Sequence, residues 1–301
     1  MTVLTSGSAL ASAASAAPKP RRSLAAYWLI APGVAWMVLF LLLPILMMVY
    51  VSFWTQTTFK VEPILTAKSW VAFFSSDTYV GALWTTIRIW LVVLTATLVV
   101  GYPAALFVGL MVRNKTTATA LLVLCVIPFW TSFLIRVLAW RPMLGGQGAV
   151  NIILEKLHII SQPIEALLFT ELSVVIGMTQ IYCVFMVGPI AFMLGRIDPF
   201  VIEAAQDLGA GFWRIFRTII FPMSLPGVVV GAIFVSVMVL GEFATAAALS
   251  GHKVNLIGNI IVTQVGSLKW AFAAVAGVVL TAVIAVIVAV LLRLVDLRQE
   301  L

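Results

Sequence analysis

The sequence predicts an all-α integral membrane protein with six transmembrane helices, and two observations carry that reading. Apolar residue types make up 63% of the 301 residues, and charged types only 10%. A water-soluble fold cannot hide that much apolar surface, so the bilayer has to be the solvent. The apolar residues are also gathered into six uncharged runs: Ser23–Phe59, Ile89–Val112, Thr116–Ile135, Leu172–Gly195, Thr218–Gly241 and Trp270–Leu292. At about 1.5 Å per helical residue, each is long enough to cross roughly 30 Å of hydrocarbon.

Residues 1–22 are rich in Ala and Ser and lack apolar periodicity, which predicts a disordered cytoplasmic tail. Lys19, Arg21 and Arg22 then precede the first run. That run is too long for a signal-peptide core, and the small residues lie before the charges rather than after the apolar stretch. It reads as a retained span opening the membrane domain, residues 23–301. Basic flanks on the cytoplasmic side orient it. Six spans then put both termini inside. Pro103, Pro128, Pro189 and Pro226 fall within the second to fifth runs. Membrane bundles tolerate such residues because neighbouring helices satisfy the freed carbonyls.

The connections sort by charge and length. Arg113-Asn-Lys115 is a tight basic turn, placed inside with Arg196, Arg214, Arg217, Arg293 and Arg298. The segments around 60–80, 139–170 and 249–268 fall outside. Within 139–170, the glycines of Gly145-Gly-Gln-Gly148 break the chain, and Val150–Leu157 has the apolar spacing of a short surface helix. His158 and His252 are isolated loop histidines, so no metal site is expected. Cys125 and Cys183 lie inside apolar runs without Cys-x-x-Cys spacing and read as free thiols. The net charge of +7 comes from scattered residues, many flanking spans, and does not point to nucleic acid.

The longest polar interruption on the inner side is Asp198–Pro222. Asp198 is a good N-cap and Pro199 suits the first helical position. A first helix runs to about Leu208, and Gly209 can adopt the left-handed conformation that ends it. Ala210 and Gly211 allow a bend. A second helix follows, with Phe212, Ile215, Phe216, Ile219 and Ile220 recurring on one face, Arg214 and Arg217 on another, and Pro222 closing it. The expected product is an amphipathic knuckle at about 198–217 between two spans.

Within it, Glu203-Ala204-Ala205 is followed after three residues by Gly209, and after nine more by Ile219 and then Pro222. That spacing resembles the EAA motif of ABC importer permeases, departing from it only at Phe221, where the pattern prefers leucine. Further blocks extend the resemblance over nearly all the chain after residue 23. They are Gly101-Tyr-Pro-Ala104, Pro128-Phe-Trp-Thr-Ser132 with Arg136 and Ala139-Trp140, Gly148-Ala-Val-Asn151, and Pro226-Gly227 with Gly241-Glu-Phe243. Together they are similar to the spermidine/putrescine class of type I ABC importer permeases. The resemblance implies the type I ABC importer permease fold in a bacterial inner membrane. It implies four kinds of partner: a second, usually different permease chain, two ATP-binding subunits, an extracytoplasmic binding protein and surrounding lipid. It also implies that the knuckle docks on the ATP-binding subunit.

The chain has no Gly-x4-Gly-Lys-Ser/Thr loop, no His-Glu-x2-His and no Gly-x-Ser-x-Gly. No cofactor and no catalytic site are therefore expected, and ATP hydrolysis is assigned to the partner subunits. Arg214 and Arg217 have two competing roles, pairing with acidic groups of that partner or with lipid headgroups. Glu242 stands alone after 24 uncharged residues, near the outer end of the fifth run. A charge at bilayer depth costs roughly 3 kcal/mol on insertion scales, so it faces a cavity or a partner. It is read either as a cargo-pathway carboxylate or as half of a structural ion pair with Arg88 or Arg136. Trp130, Phe243 and Tyr182 are the aromatic candidates for cation–π contact with a cationic cargo, against plain helix packing. Other cargo on the same machine (an opine, an amino acid, sulfate or ferric ion) and a stand-alone secondary transporter are the competing functions.

Overall fold

A computed structural model describes residues 24–56, 61–112, 114–251 and 253–294. The expectations for the tail at 1–22 and for Arg113, His252 and Arg298 lie outside those residues. The chain divides into two compact units, residues 1–47 and 48–301, and the boundary falls within helix α1, Leu24–Ser52. In the first unit α1 is continuously apolar despite Pro32 and Pro44, and Trp36 packs on Phe40 one turn away.

The second unit is the helical bundle. After α1 come a short antiparallel hairpin, β1 (Trp54–Gln56) with β2 (Val61–Leu65), and helix α2 (Lys68–Phe74). The sequence reading missed this hairpin, because the uncharged run continues past Ser52, where the helix ends. Helix α3 (Asp77–Leu106) passes without interruption into a π-helical turn, Phe107–Met111. It therefore begins well before Ile89. Arg88 cuts the uncharged run but not the helix, because its exposed guanidinium reaches the carboxylate of Glu171 at the start of α7, Glu171–Leu194.

The third run departs most from expectation. Instead of one helix over 116–135, the structure has α4 (Lys115–Val126), a 3-10 turn at Ile127–Trp130, and α5 (Phe133–Leu144), with a bend of 90°. Pro128 supplies no amide donor, and Thr131 and Ser132 are extended, so the α ladder cannot pass through. Among the described residues, five helices are long and apolar enough to span a membrane, and six spans result when the bent pair counts as one. Helix α6 (Ala149–Lys156) follows the glycine break as expected.

The core is built where α7 packs against α3 and against α10, Phe221–Leu240. Neighbouring residues run in parallel along α3 and α7: Gly101 faces Met186, and Gly109 faces Leu194. Helix α10 runs the other way. At Gly227 a side-chain carbon would lie 2.7 Å from the Pro189 carbonyl, so glycine is what lets the two backbones approach. Cross-helix hydrogen bonds fix the register, from Trp90 Nε1 to Ser236 Oγ at 2.8 Å and between the Tyr102 and Ser224 hydroxyls at 2.8 Å. Beyond α10 the chain forms α11 (Ala244–Leu249), α12 (Ile257–Gly266) and the final span α13 (Trp270–Arg293). A second core joins Phe73 and Ala82 to Ile257, Val275 and Val279.

Candidate functional site

Two places concentrate the residues that the sequence singled out. The first is the loop between α7 and α10. Helix α8 (Pro199–Asp207) is capped by the Asp198 carboxylate, which accepts the Phe200 amide at 3.0 Å. It ends as anticipated: Gly209 has φ +80°, its amide donates to the Gln206 carbonyl, and the Ala210 amide donates to the Ala205 carbonyl. That pair of bonds is a Schellman close, which needs a residue free to take positive φ. A short helix α9 (Phe212–Ile215) follows.

The second half of the loop differs from expectation. Pro222 does not close a helix. A π-helical turn, Phe216–Ile220, carries the chain straight into α10, where Pro222 sits in the first turn and supplies no amide donor to the ladder. The apolar residues also divide. Ile202, Ala205, Ile215, Phe216 and Ile219 pack toward the core, whereas Phe200, Val201, Phe212 and Trp213 are exposed and Leu208 is 89% exposed.

Glu203, Ala204, Arg214 and Arg217 are exposed as well. Among the described residues, the three charged side chains form no ion pair and no side-chain hydrogen bond. The knuckle thus presents charge of both signs beside aromatic and aliphatic surface, and none of those three charges is used internally among the described residues. A cleft of about 800 Å³ runs alongside, lined by Lys115, Arg196, Asp198 and Glu203 among others.

The second place is the break between α10 and α11, at the opposite end of the bundle. Glu242 is 8% exposed. One carboxylate oxygen accepts the Thr245 amide at 2.8 Å, and the other accepts the Tyr182 hydroxyl from α7. Neither arginine considered as its ion-pair partner holds it. Arg88 is engaged with Glu171, and the Arg136 guanidinium lies over the Phe129 ring, 4.4 Å from its centroid. The structural ion pair is therefore replaced by hydrogen bonding from a tyrosine and a backbone amide. A carboxylate can accept about four hydrogen bonds, so two directions stay open.

Of the aromatic candidates, Tyr182 is joined to Glu242 directly, and Phe243 follows it in the chain with its ring partly exposed. Trp130 ends the 3-10 turn with 81% of its surface exposed.

The structure adds residues that the sequence reading left without a role. Asn151 is buried; its amide nitrogen donates to the Gly145 carbonyl at 3.0 Å, and its oxygen accepts the Ile164 amide at 2.9 Å. Arg141 Nε donates to the Ala248 carbonyl at 2.8 Å, tying α5 to α11. A lone Asn after a glycine break was the available signal for the first of these. The second joins segments too far apart in the chain for any local signal.

Comparison with known proteins places this geometry. Residues 101–300 match the family described as binding-protein-dependent transport system inner membrane component. The spermidine/putrescine transport system permease protein PotB of Haemophilus influenzae is 32% identical over 262 residues, covering 86% of this chain and 90% of that protein. The protein of the same name from Escherichia coli strain K12 is 33% identical over 262 residues, covering 86% of this chain and 94% of that one. Among solved structures, a bacterial ABC transporter involved in the import of the acidic polysaccharide alginate superimposes with a TM-score of 0.69 at 20% identity. That match covers 91% of this chain and 95% of the other. At that identity the likeness speaks for the fold alone.

Proposed function

The chain belongs to the family of binding-protein-dependent transport system inner membrane components, and from that premise we propose that it is the permease subunit of an ATP-driven importer of polyamine-type cations. It is a multi-pass protein of a bacterial inner membrane. The cargo reading is carried by one observation, the likeness over most of the chain to two permeases named for spermidine and putrescine transport.

In this reading the α8–α9 knuckle is the coupling element. Both termini and the knuckle face the cytoplasm, where two ATP-binding subunits supply the hydrolysis that this subunit does not perform. The exposed Phe200, Leu208, Phe212 and Trp213 supply apolar contact area to that partner. Glu203, Arg214 and Arg217, unpartnered among the described residues, supply charge. Ala204, Ala205 and Gly209 keep the surface narrow and turn it, and Ile219 and Pro222 join it to α10 through the π turn.

At the other end, cargo released by an extracytoplasmic binding protein passes the α10–α11 break. Glu242 offers its two open lone-pair directions to an ammonium, and Tyr182 fixes the carboxylate. Phe243 and Trp130 present exposed π faces. A second, homologous permease completes the pathway.

The test is uptake by the complete importer reconstituted in vesicles with its binding protein. The reading expects ATP-dependent accumulation of labelled spermidine or putrescine. Accumulation of sulfate, an amino acid or ferric ion instead would replace the cargo class, and ATP-independent transport would overturn the importer.

A further inference from the structure

The cleft beside the knuckle has two unlike ends. Along α4 it reaches from Lys115 to Leu122, about 10 Å of helix rise. Val108, Leu122 and Ala191 line its apolar part, and all three sit on membrane-crossing segments. Lys115, Arg196, Asp198 and Glu203 line the other part. Lys115 opens α4, and Arg196 and Asp198 follow the end of α7, so these charges lie where the apolar segments stop. At about 800 Å³ the cleft falls within the size range of small-molecule sites.

The four charges do not neutralise one another. Among the described residues, no ion pair involves any of them. The Arg196 guanidinium lies over the Phe192 ring, 4.7 Å from its centroid, and not on a carboxylate. One Asp198 oxygen accepts the Phe200 amide, which leaves the carboxylate further lone pairs. A simple anion in this cleft would meet Asp198 and Glu203, and a simple cation would meet Lys115 and Arg196. A soluble protein pressed against the knuckle would reach the charged mouth but not Leu122 and Ala191. Both ends are served by one ligand that carries both charges on its head and has an apolar body.

We propose that the cleft binds a phospholipid whose head carries a phosphodiester and a primary ammonium, as in phosphatidylethanolamine. Its phosphate oxygens accept from Lys115 and Arg196, its ammonium donates to Asp198 and Glu203, and its acyl chains run along α4 toward Leu122. The lipid belongs to the leaflet on the knuckle side. There it joins the start of α4, the end of α7 and the start of α8, and so steadies the base from which the knuckle projects. None of the exposed rings of the knuckle lines the cleft. Glu203 both lines the cleft and is exposed on the knuckle, so the test leaves it intact and keeps lipid binding separable from coupling. The proposal rests on the membrane fold and not on the cargo.

For the test, the full-length chain is placed in vesicles of equal parts phosphatidylethanolamine, phosphatidylglycerol and phosphatidylcholine with identical acyl chains. It is extracted in detergent, and native mass spectrometry counts the lipid it retains. Phosphatidylethanolamine should exceed each of the others about fivefold, the scale of one exposed charge pair. Phosphatidylglycerol lacks the ammonium, and the quaternary nitrogen of phosphatidylcholine has no N–H to donate. Lys115→Gln and Arg196→Gln should each erase that excess, whereas Lys115→Arg and Arg196→Lys keep the charge and should preserve it. Asp198→Asn retains a helix cap but loses the negative charge, and should lower the excess about threefold. Equal retention of the three lipids, or an excess that survives the Gln variants, overturns the proposal. A lead for phosphatidylglycerol also overturns it, because the two cations would then act alone. Displacement of the lipid by soluble glycerophosphoethanolamine does the same, because the apolar part of the cleft would then hold nothing. No cargo enters the measurement, so its failure leaves the polyamine reading to the uptake experiment.

Discussion

At the knuckle end of the bundle, Glu203, Arg214 and Arg217 are exposed and unpartnered among the described residues, beside the exposed rings of Phe200, Phe212 and Trp213. At the far end, Glu242, Asn151, Ser173 and Thr86 are buried, and each is bonded within the chain. Both ends are rich in polar residues, so composition does not separate them. What separates these two sets of residues is whether the side chain is already bonded within the chain. A buried, bonded side chain holds the chain's own architecture together, and its loss is felt as stability. An exposed, unbonded side chain set among exposed aromatics is free for something outside the chain, and its loss is felt as function.

The sharpest way to break this contrast is Gly209→Val. Valine at φ +80° carries strain of about 1–2 kcal/mol and distorts the Schellman close, yet nothing packs within 4 Å of that position. Cargo-stimulated ATP hydrolysis of the reconstituted complex should fall about tenfold, while the melting temperature of the bundle hardly moves. Full stimulation would show that the knuckle is not where the partner reads the bundle.

At the other end the order should reverse. Glu242→Ala leaves the Tyr182 hydroxyl and the Thr245 amide without their acceptor, and should destabilise the chain by about 3 kcal/mol in a melting experiment. Glu242→Gln keeps an acceptor for Thr245 and should lose only about 1 kcal/mol. Polyamine uptake then sharpens the comparison. A Gln variant that melts normally but transports poorly places the carboxylate on the cargo path, and one that transports normally confines it to architecture.

The smallest effect belongs to a pair that breaks the pattern from within. Arg88 and Glu171 lie toward the satisfied end but are exposed. Arg88→Gln should shift stability by less than about 1 kcal/mol, because exposed ion pairs contribute little. A larger loss would mean that the pair is shielded in the membrane.

The knuckle was legible in the sequence because its signals are local. An Asp-Pro start and a glycine end specify a helix within ten residues, and φ +80° at Gly209 is what that glycine was read to provide. The break in the third span was less legible. A proline in an apolar run does not say whether neighbours will support a continuous helix or the chain will turn, and Pro128 turns it by 90°. The start of α3 was hidden because Arg88 ends an uncharged run without ending a helix. The hairpin after α1 was hidden because β1, Trp54–Gln56, is only three residues long and lies within the same uncharged run as the helix. Least legible was the environment of Glu242. Its solitude marked it as notable, but its hydroxyl donor lies on another helix, 60 residues earlier in the chain.

The two π turns, Phe107–Met111 and Phe216–Ile220, both lie at the knuckle end, one on each of two neighbouring helices. A π turn accommodates one residue more than an α turn, so it works as a phase shifter in the helix. Closing the one at 216–220 to α with every residue retained would swing α8 and α9 by about 100° around the α10 axis, since each α-helical residue advances by that angle. Every side chain of the loop would keep its identity and face a new azimuth, while Ser224, Gly227 and Ser236 stayed seated against α3 and α7. Between the last cross-helix bond and the loop, the helical phase therefore sets the surface as much as residue type does. Substitutions there alter the surface, whereas a change between π and α winding re-aims it.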